Sequence, residues 1–154
     1  LFRYFIEQTR NTTGSIYGRG LYDLMRYWDG DDWNHDNRAQ GDLREFAEAW
    51  RAMPKWVFSH SLKEVGPNAT LIADDFEAAV RKLKAERDGE IEVGGRKLAA
   101  SLSKLGLIDE YHIFLRPDVL GGGAPFFAGF QPALRLTDSE RIGESALKLT
   151  YVPA

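Results

Sequence analysis

Apolar residues recur along this chain at helical spacing, then at strand spacing, in alternation. Phe2, Phe5, Ile6 and Thr9 fall on one side at the helical period and predict a short helix over 2–10. Asn11-Thr12-Thr13-Gly14 breaks it. Ser15-Ile16-Tyr17-Gly18 reads as a short buried strand, Arg19-Gly20 as its sharp exit, and Leu21, Leu24 and Met25 as the face of a following helix. The polar, acidic stretch from Trp28 to Gly41 reads as a loop. Asp42 is placed as the N-cap of the next helix, with Glu45 at capping-box spacing. Leu43, Phe46, Ala47, Trp50 and Met53 form that helix's apolar face, and Pro54 stops it.

The alternation continues. Lys55-Trp56-Val57-Phe58 predicts a strand with Ser59-His60-Ser61 as its exit, and Thr70-Leu71-Ile72-Ala73 predicts another. Asp74 or Asp75 caps a helix carrying Phe76, Ala79, Val80 and Leu83. Glu90-Ile91-Glu92-Val93 is a strand ending at Gly94-Gly95, and the helix after it, with Leu98, Ala99, Leu102 and Leu105, closes at Gly106. Tyr111 to Leu115 is apolar apart from His112 and predicts a central strand. Strand and helix alternating from 15 to 115 predict an α/β domain with a largely parallel sheet. Leu134/Leu136 and Leu147/Leu149/Tyr151 alternate with polar neighbours, which predicts an antiparallel C-terminal hairpin. The 117–132 segment is rich in Gly and Pro. With no internal repeat or linker, residues 1–154 read as one domain.

Composition narrows the classes. The chain has 154 residues, 44% hydrophobic and 28% charged, which excludes a disordered chain. A net charge of -3 without a basic cluster argues against a duplex nucleic-acid binder. Without an apolar run of roughly 18 residues, no membrane association is expected. The absence of cysteine removes disulfides, thiolate catalysis and cysteine-ligated zinc, and fits a reducing cytoplasm. The sequence opens at Leu1 with no signal-peptide pattern, and reads as starting inside a longer chain.

Three strand exits carry glycine, serine or basic residues: Gly18-Arg19-Gly20, Ser59-His60-Ser61 and Gly94-Gly95-Arg96-Lys97. Parallel strands put all three exits on one edge, where ligands of open α/β sheets bind. Gly94-Gly95 before a helix suits a phosphate, because glycine lets the backbone approach and the helix N-terminus offers N–H groups. Alone, each signal is weak. A Gly-Gly there is most often only a turn, Ser59 or Ser61 most often a cap, and Arg19 can be a solvated surface arginine. Neither G-x-G-x-x-G nor G-x-x-x-x-G-K is present.

Other candidates carry less. The acidic residues from Asp29 to Asn37 fail the EF-hand pattern, since counting from Asp32 the sixth and twelfth positions hold Asn37 and Leu43. Trp28 and Trp33 are either core anchors of that loop, the reading we favour, or walls for a flat ligand. His60 and His112 make no metal pair. His112 reads as a satisfied core histidine, and Asp109-Glu110 as the end of a turn.

At this point the residues resemble a family. Gly18-Arg19-Gly20-Leu21-Tyr22 is similar to the "GRxTY" strand exit of bacterial dihydrofolate-reductase-like proteins, and Val57-Phe58-Ser59-His60-Ser61-Leu62 to their "VFSxTL" exit. Ile91 to Ala99 resembles the "I-x-V-x-G-G-x-x-L" segment. Gly106 to Tyr111, Pro117, and Leu120-Gly121-Gly122-Gly123-Ala124-Pro125-Phe126-Phe127 complete the pattern, which spans 18 to 127. The group is the one related to the reductase domain of the riboflavin-biosynthesis deaminase-reductase (RibD C-terminal).

The resemblance implies a dihydrofolate-reductase-like three-layer αβα fold, with a mostly parallel central sheet and the antiparallel hairpin. It implies a bacterial enzyme that uses NADPH to reduce a small pterin- or pyrimidine-like heterocycle; a cytoplasmic homodimer is expected. By the family's pattern the first two exits hold the 2′-phosphoadenosine end, a role that passes to Gly18, Arg19, Gly20, Ser59, His60 and Ser61. The Gly-Gly turn and its helix hold the pyrophosphate, a role that passes to Gly94, Gly95, Arg96, Lys97 and Leu98. A guanidinium fork suits the added phosphate.

Two departures matter. Val93 stands where the riboflavin-pathway reductase has a substrate-contacting Glu, and Gly18-Arg19-Gly20-Leu21-Tyr22 stands where it has a "TVxxDxP"-like exit. The family's first strand, ending in an "SLDG"-like segment, is not visible in the sequence, and the expectation is that it precedes Leu1 in a longer chain. No catalytic residue is assigned. The competing readings are a nucleotide-binding module of the same fold without turnover, and a structural dimer built on the apolar 121–130 segment.

Overall fold

The computed structural model describes residues 1–35, 40–127 and 129–154. They form two compact units, residues 2–98 and residues 99–154 with Leu1.

The first unit is built on four parallel strands: β1 (Gly14–Gly18), β2 (Lys55–Phe58), β3 (Ala69–Ile72) and β4 (Ile91–Gly94), in the order β3-β2-β1-β4. Helix α1 (Phe2–Asn11) precedes β1, α2 (Arg19–Met25) and α3 (Gln40–Ala52) lie between β1 and β2, and α4 (Phe76–Glu86) lies between β3 and β4. Strand alternation decides what each face buries. Tyr17 and Val57 join Ile6 of α1 and Phe46, Trp50 and Met53 of α3 in one buried cluster. The indole N–H of Trp50 donates to the Tyr17 hydroxyl at 3.2 Å, so this deep hydroxyl is satisfied. On the opposite face Phe58 meets Phe76 of α4 at 5.0 Å.

Lys55 opens β2 and is 1% exposed. Its ammonium donates to the carbonyls of Trp50 at 2.6 Å and Met53 at 2.7 Å, and lies 4.2 Å from the Trp50 ring. It therefore satisfies carbonyls at the end of α3, where a cation is favoured. Burial still pushes its pKa down to about 8, against an opposing pull from Asp29.

The 28–35 stretch is not an irregular loop. It holds two short 3-10 turns, Arg26–Asp29 and Asp32–His35. Its tryptophans supply the order. Trp28 packs on Phe46 at 4.8 Å, and buried Trp33 donates from its indole N–H to the Gly30 carbonyl at 2.7 Å. The Arg51 Nε donates to the Trp28 carbonyl at 2.8 Å, and its Nη2 pairs with Asp31 at 3.0 Å. Both tryptophans are thus anchors. Asp42 is not the N-cap of α3, because the helix already includes Gln40. An acid is favoured in the first turn as well as at the cap, and Asp42 there accepts from Arg3 at 3.1 Å. Asp36 and Asn37 lie outside the described residues.

The second unit carries a three-stranded antiparallel sheet, β5 (Tyr111–Leu115), β6 (Leu134–Ile142) and β7 (Ala146–Pro153), in the order β5-β7-β6. β5 is therefore an edge strand and not a central one. Its apolar run misled because only Tyr111 is buried, while Leu115 is 47% exposed. The Tyr111 hydroxyl donates to Ser103 Oγ at 2.7 Å. Helix α5 (Arg96–Lys104) ends as the glycine predicts: Gly106 (φ +69°) donates to the Ser103 carbonyl and Leu107 to the Leu102 carbonyl, both at 3.0 Å. His112 is half-buried and bonded to Glu110 at 2.9 Å, so it is satisfied locally without lying deep in a core. Among the described residues no helix is long and apolar enough to cross a membrane.

Candidate functional site

Parallel register places the strand exits of the first unit on one edge. Gly18 is level with Phe58, Phe58 with Ile72, and Tyr17 with Gly94. The first exit is more abrupt than expected. Gly18 ends β1 and serves as N-cap of α2, so Arg19 and Gly20 already lie in the helix's first turn.

The β1 and β4 exits touch. A Cβ on Gly95 would lie 3.6 Å from the Gly18 nitrogen, and one on Gly18 would lie 3.6 Å from the Leu98 Cβ. Gly95 has φ +109°, a conformation open to glycine. A Cβ on Gly94 would fall 2.6 Å from Leu21 and 2.8 Å from the Tyr17 ring. The two glycines at 94–95 therefore permit a close backbone junction. Arg96 and Lys97 are exposed in the first turn of α5, which holds no acidic residue. Cations there oppose the helix dipole, so the helix gains nothing from them and an anion would. The Leu98 side chain is buried, so what Leu98 can present to a ligand is main chain.

Arg19 joins the first exit to the second. Its Nη1 donates to Ser61 Oγ at 2.8 Å. Ser59 is buried, and its Oγ accepts from the N–H groups of Ser61 at 3.2 Å and Leu62 at 3.1 Å. Ser59 thus organises the turn while Ser61 faces the arginine. His60 stacks on Phe76, with centroids 4.7 Å apart and planes 12° apart. Just before Phe76, Asp75 holds a left-handed conformation (φ 47°) and accepts from the Ala78 N–H at 3.2 Å.

The structure adds two residues to this rim. Asp23 Oδ2 lies 3.4 Å from Arg19 Nε, and Phe76 gives His60 a flat partner. The i,i+4 spacing of Arg19 and Asp23 on one helix was a readable signal. Phe76 had none, being indistinguishable from an ordinary core position of α4. Among the described residues no group of three His, Cys, Asp or Glu could hold a metal.

Comparison with known proteins follows the same line. The family model of the RibD C-terminal domain matches residues 3–148. Two Bacillus subtilis (strain 168) proteins are similar. One, the uncharacterized protein YyaP, is 28% identical over 142 residues, covering 88% of this chain and 71% of its own. The other, the uncharacterized protein YwjB, is 34% identical over 90 residues, covering 56% of this chain and 51% of its own. Among solved structures, a Shewanella sp. PV-4 protein assigned to riboflavin biosynthesis superposes with TM-score 0.71 at 23% identity, over 97% of this chain and 78% of that one. The Thermotoga maritima diaminohydroxyphosphoribosylaminopyrimidine deaminase/5-amino-6-(5-phosphoribosylamino)uracil reductase superposes with TM-score 0.61 at 19% identity, over 99% of this chain and 48% of that one. These likenesses establish the fold. With nearly its whole length matched, the chain belongs to the RibD C-terminal domain family, a reductase-like domain.

Proposed function

We propose that this chain is an NADPH-dependent reductase of a small heterocyclic substrate. The observation that carries the reading is the meeting of three strand exits on one rim. Gly18 abuts Gly95, and Arg19 reaches Ser61. The rim suits the cofactor's anionic tail. Gly94 and Gly95 leave backbone where side chains would stand, Arg96 and Lys97 add positive charge, and Arg19 offers a guanidinium edge. When bound, the cofactor supplies a hydride, and the protein's task is to hold and aim it. The Thermotoga relative is a deaminase/reductase acting on a phosphoribosylamino-pyrimidine. Val93 and the differing first exit lead us to propose a related heterocycle rather than that compound.

Fluorescence titration tests this reading, with four tryptophans as the signal. NADPH is expected to bind more tightly than NADH. Equal, negligible affinity for both overturns the proposal. A second reading, a binding module without turnover, is favoured by Val93. Consumption of NADPH with any pterin- or pyrimidine-like acceptor excludes it.

A further inference from the structure

Arg19 is held from two sides. Its Nη1 donates to Ser61 Oγ at 2.8 Å, and its Nε faces Asp23 Oδ2 at 3.4 Å. No contact to Nη2 is found among the described residues. Both partners of the ion pair are about half exposed, at 54% for Arg19 and 44% for Asp23. An exposed i,i+4 pair of this kind adds little to helix stability. Its effect on an incoming anion is larger, because a carboxylate beside the arginine that bonds Ser61 repels a doubly charged phosphate.

We propose that Asp23 sets the cofactor preference of this rim, acting as a counter-charge that limits how tightly Arg19 holds a 2′-phosphate. The proposal rests on the reading of the rim as the seat of an NADPH tail. Asp23 makes its contact through Arg19, so it is a positioning residue.

Two charges and a phosphate within one helical turn, in solvent, correspond to about a three- to tenfold effect on affinity at low salt, shrinking as salt is added. NADH lacks the 2′-phosphate and serves as the internal control. Asp23→Asn keeps an oxygen near Arg19 Nε but removes the charge. Titration of wild type, Asp23→Asn and Asp23→Glu with both cofactors, at low and high salt, tests the idea. Asp23→Asn is expected to tighten NADPH about three- to tenfold at low salt, with NADH unchanged. Asp23→Glu is expected to keep the wild-type ratio. If wild type prefers NADPH but Asp23→Asn leaves the ratio unchanged or lowers it, the inference about Asp23 is overturned while the cofactor reading stands. If wild type binds neither cofactor, the cofactor reading fails first and takes the inference with it. Because the side chain is solvent-facing, Asp23→Ala provides a second charge-free variant, expected to shift the ratio in the same direction.

Discussion

Arg19 and Ser61 are joined by a 2.8 Å hydrogen bond that ties the end of β1 to the end of β2 across 42 residues of sequence. The contact is exposed, so its role in stability is small. Its consequence is placement: the serine fixes which way the guanidinium points. Ser61→Ala is expected to change unfolding free energy by less than about 0.5 kcal/mol. It should weaken NADPH about three- to tenfold while leaving NADH alone, as expected for loss of one bond that orients a charged donor. Paired denaturant melts and cofactor titrations check both halves.

Glycines of one rim differ in what they tolerate. A methyl on Gly94 collides with Leu21 and the Tyr17 ring. Gly94→Ala should destabilise by about 1–3 kcal/mol, the usual range for overpacking. Gly20 lies inside α2 with nothing within 4 Å of its Cβ position. Gly20→Ala should stabilise by about 0.5–1 kcal/mol through helix propensity. Urea melts of the two variants check the contrast.

Tyr22 is fully buried, and its hydroxyl accepts from the Gly66 N–H at 2.8 Å. Tyr22→Phe keeps the ring and strands that donor. It should cost about 1–3 kcal/mol, and amide hydrogen exchange at Gly66 should quicken.

Lys55 gives stability a pH dependence. Its ordinary pKa of 10.5 falls to about 8 in the folded protein. Between those values the unfolded chain binds more protons, so stability rises with pH. The full effect is on the order of 3 kcal/mol. Below about pH 8 both states carry the charge and the folded state bears the whole cost. Tyr17 acts oppositely at higher pH, since burial raises its pKa above 10.0. The clean window is therefore about pH 8 to 9.5. Lys55→Met should flatten the slope there in urea melts, and an unchanged slope would assign it to other groups.

Periodicity exposed most of the fold. Ile16 and Tyr17, Trp56 to Phe58, and Phe76 to Leu83 each lie in the element their spacing predicts. The errors share a cause. The Tyr111–Leu115 run is apolar for an edge strand as it would be for a central one, because sequence shows how apolar a strand is and not how many neighbours pair with it. Asp42 illustrates the same limit at a helix start, where a cap and a first-turn acid look alike. The rim was legible because parallel strands bring their exits together whatever lies between them in sequence. The i,i+4 spacing of Arg19 and Asp23 points to an ion pair, whereas the stacking of Phe76 on His60 depends on side-chain direction, which the sequence does not carry.

The most direct test of the rim as an anion grip is amide NMR during titration with adenosine 2′,5′-bisphosphate. Shifts concentrated at residues 18–20, 59–61 and 94–97, and weakened in Arg19→Ala, are the predicted result. Binding that perturbs other residues and spares these three segments, or no binding at all, would contradict it.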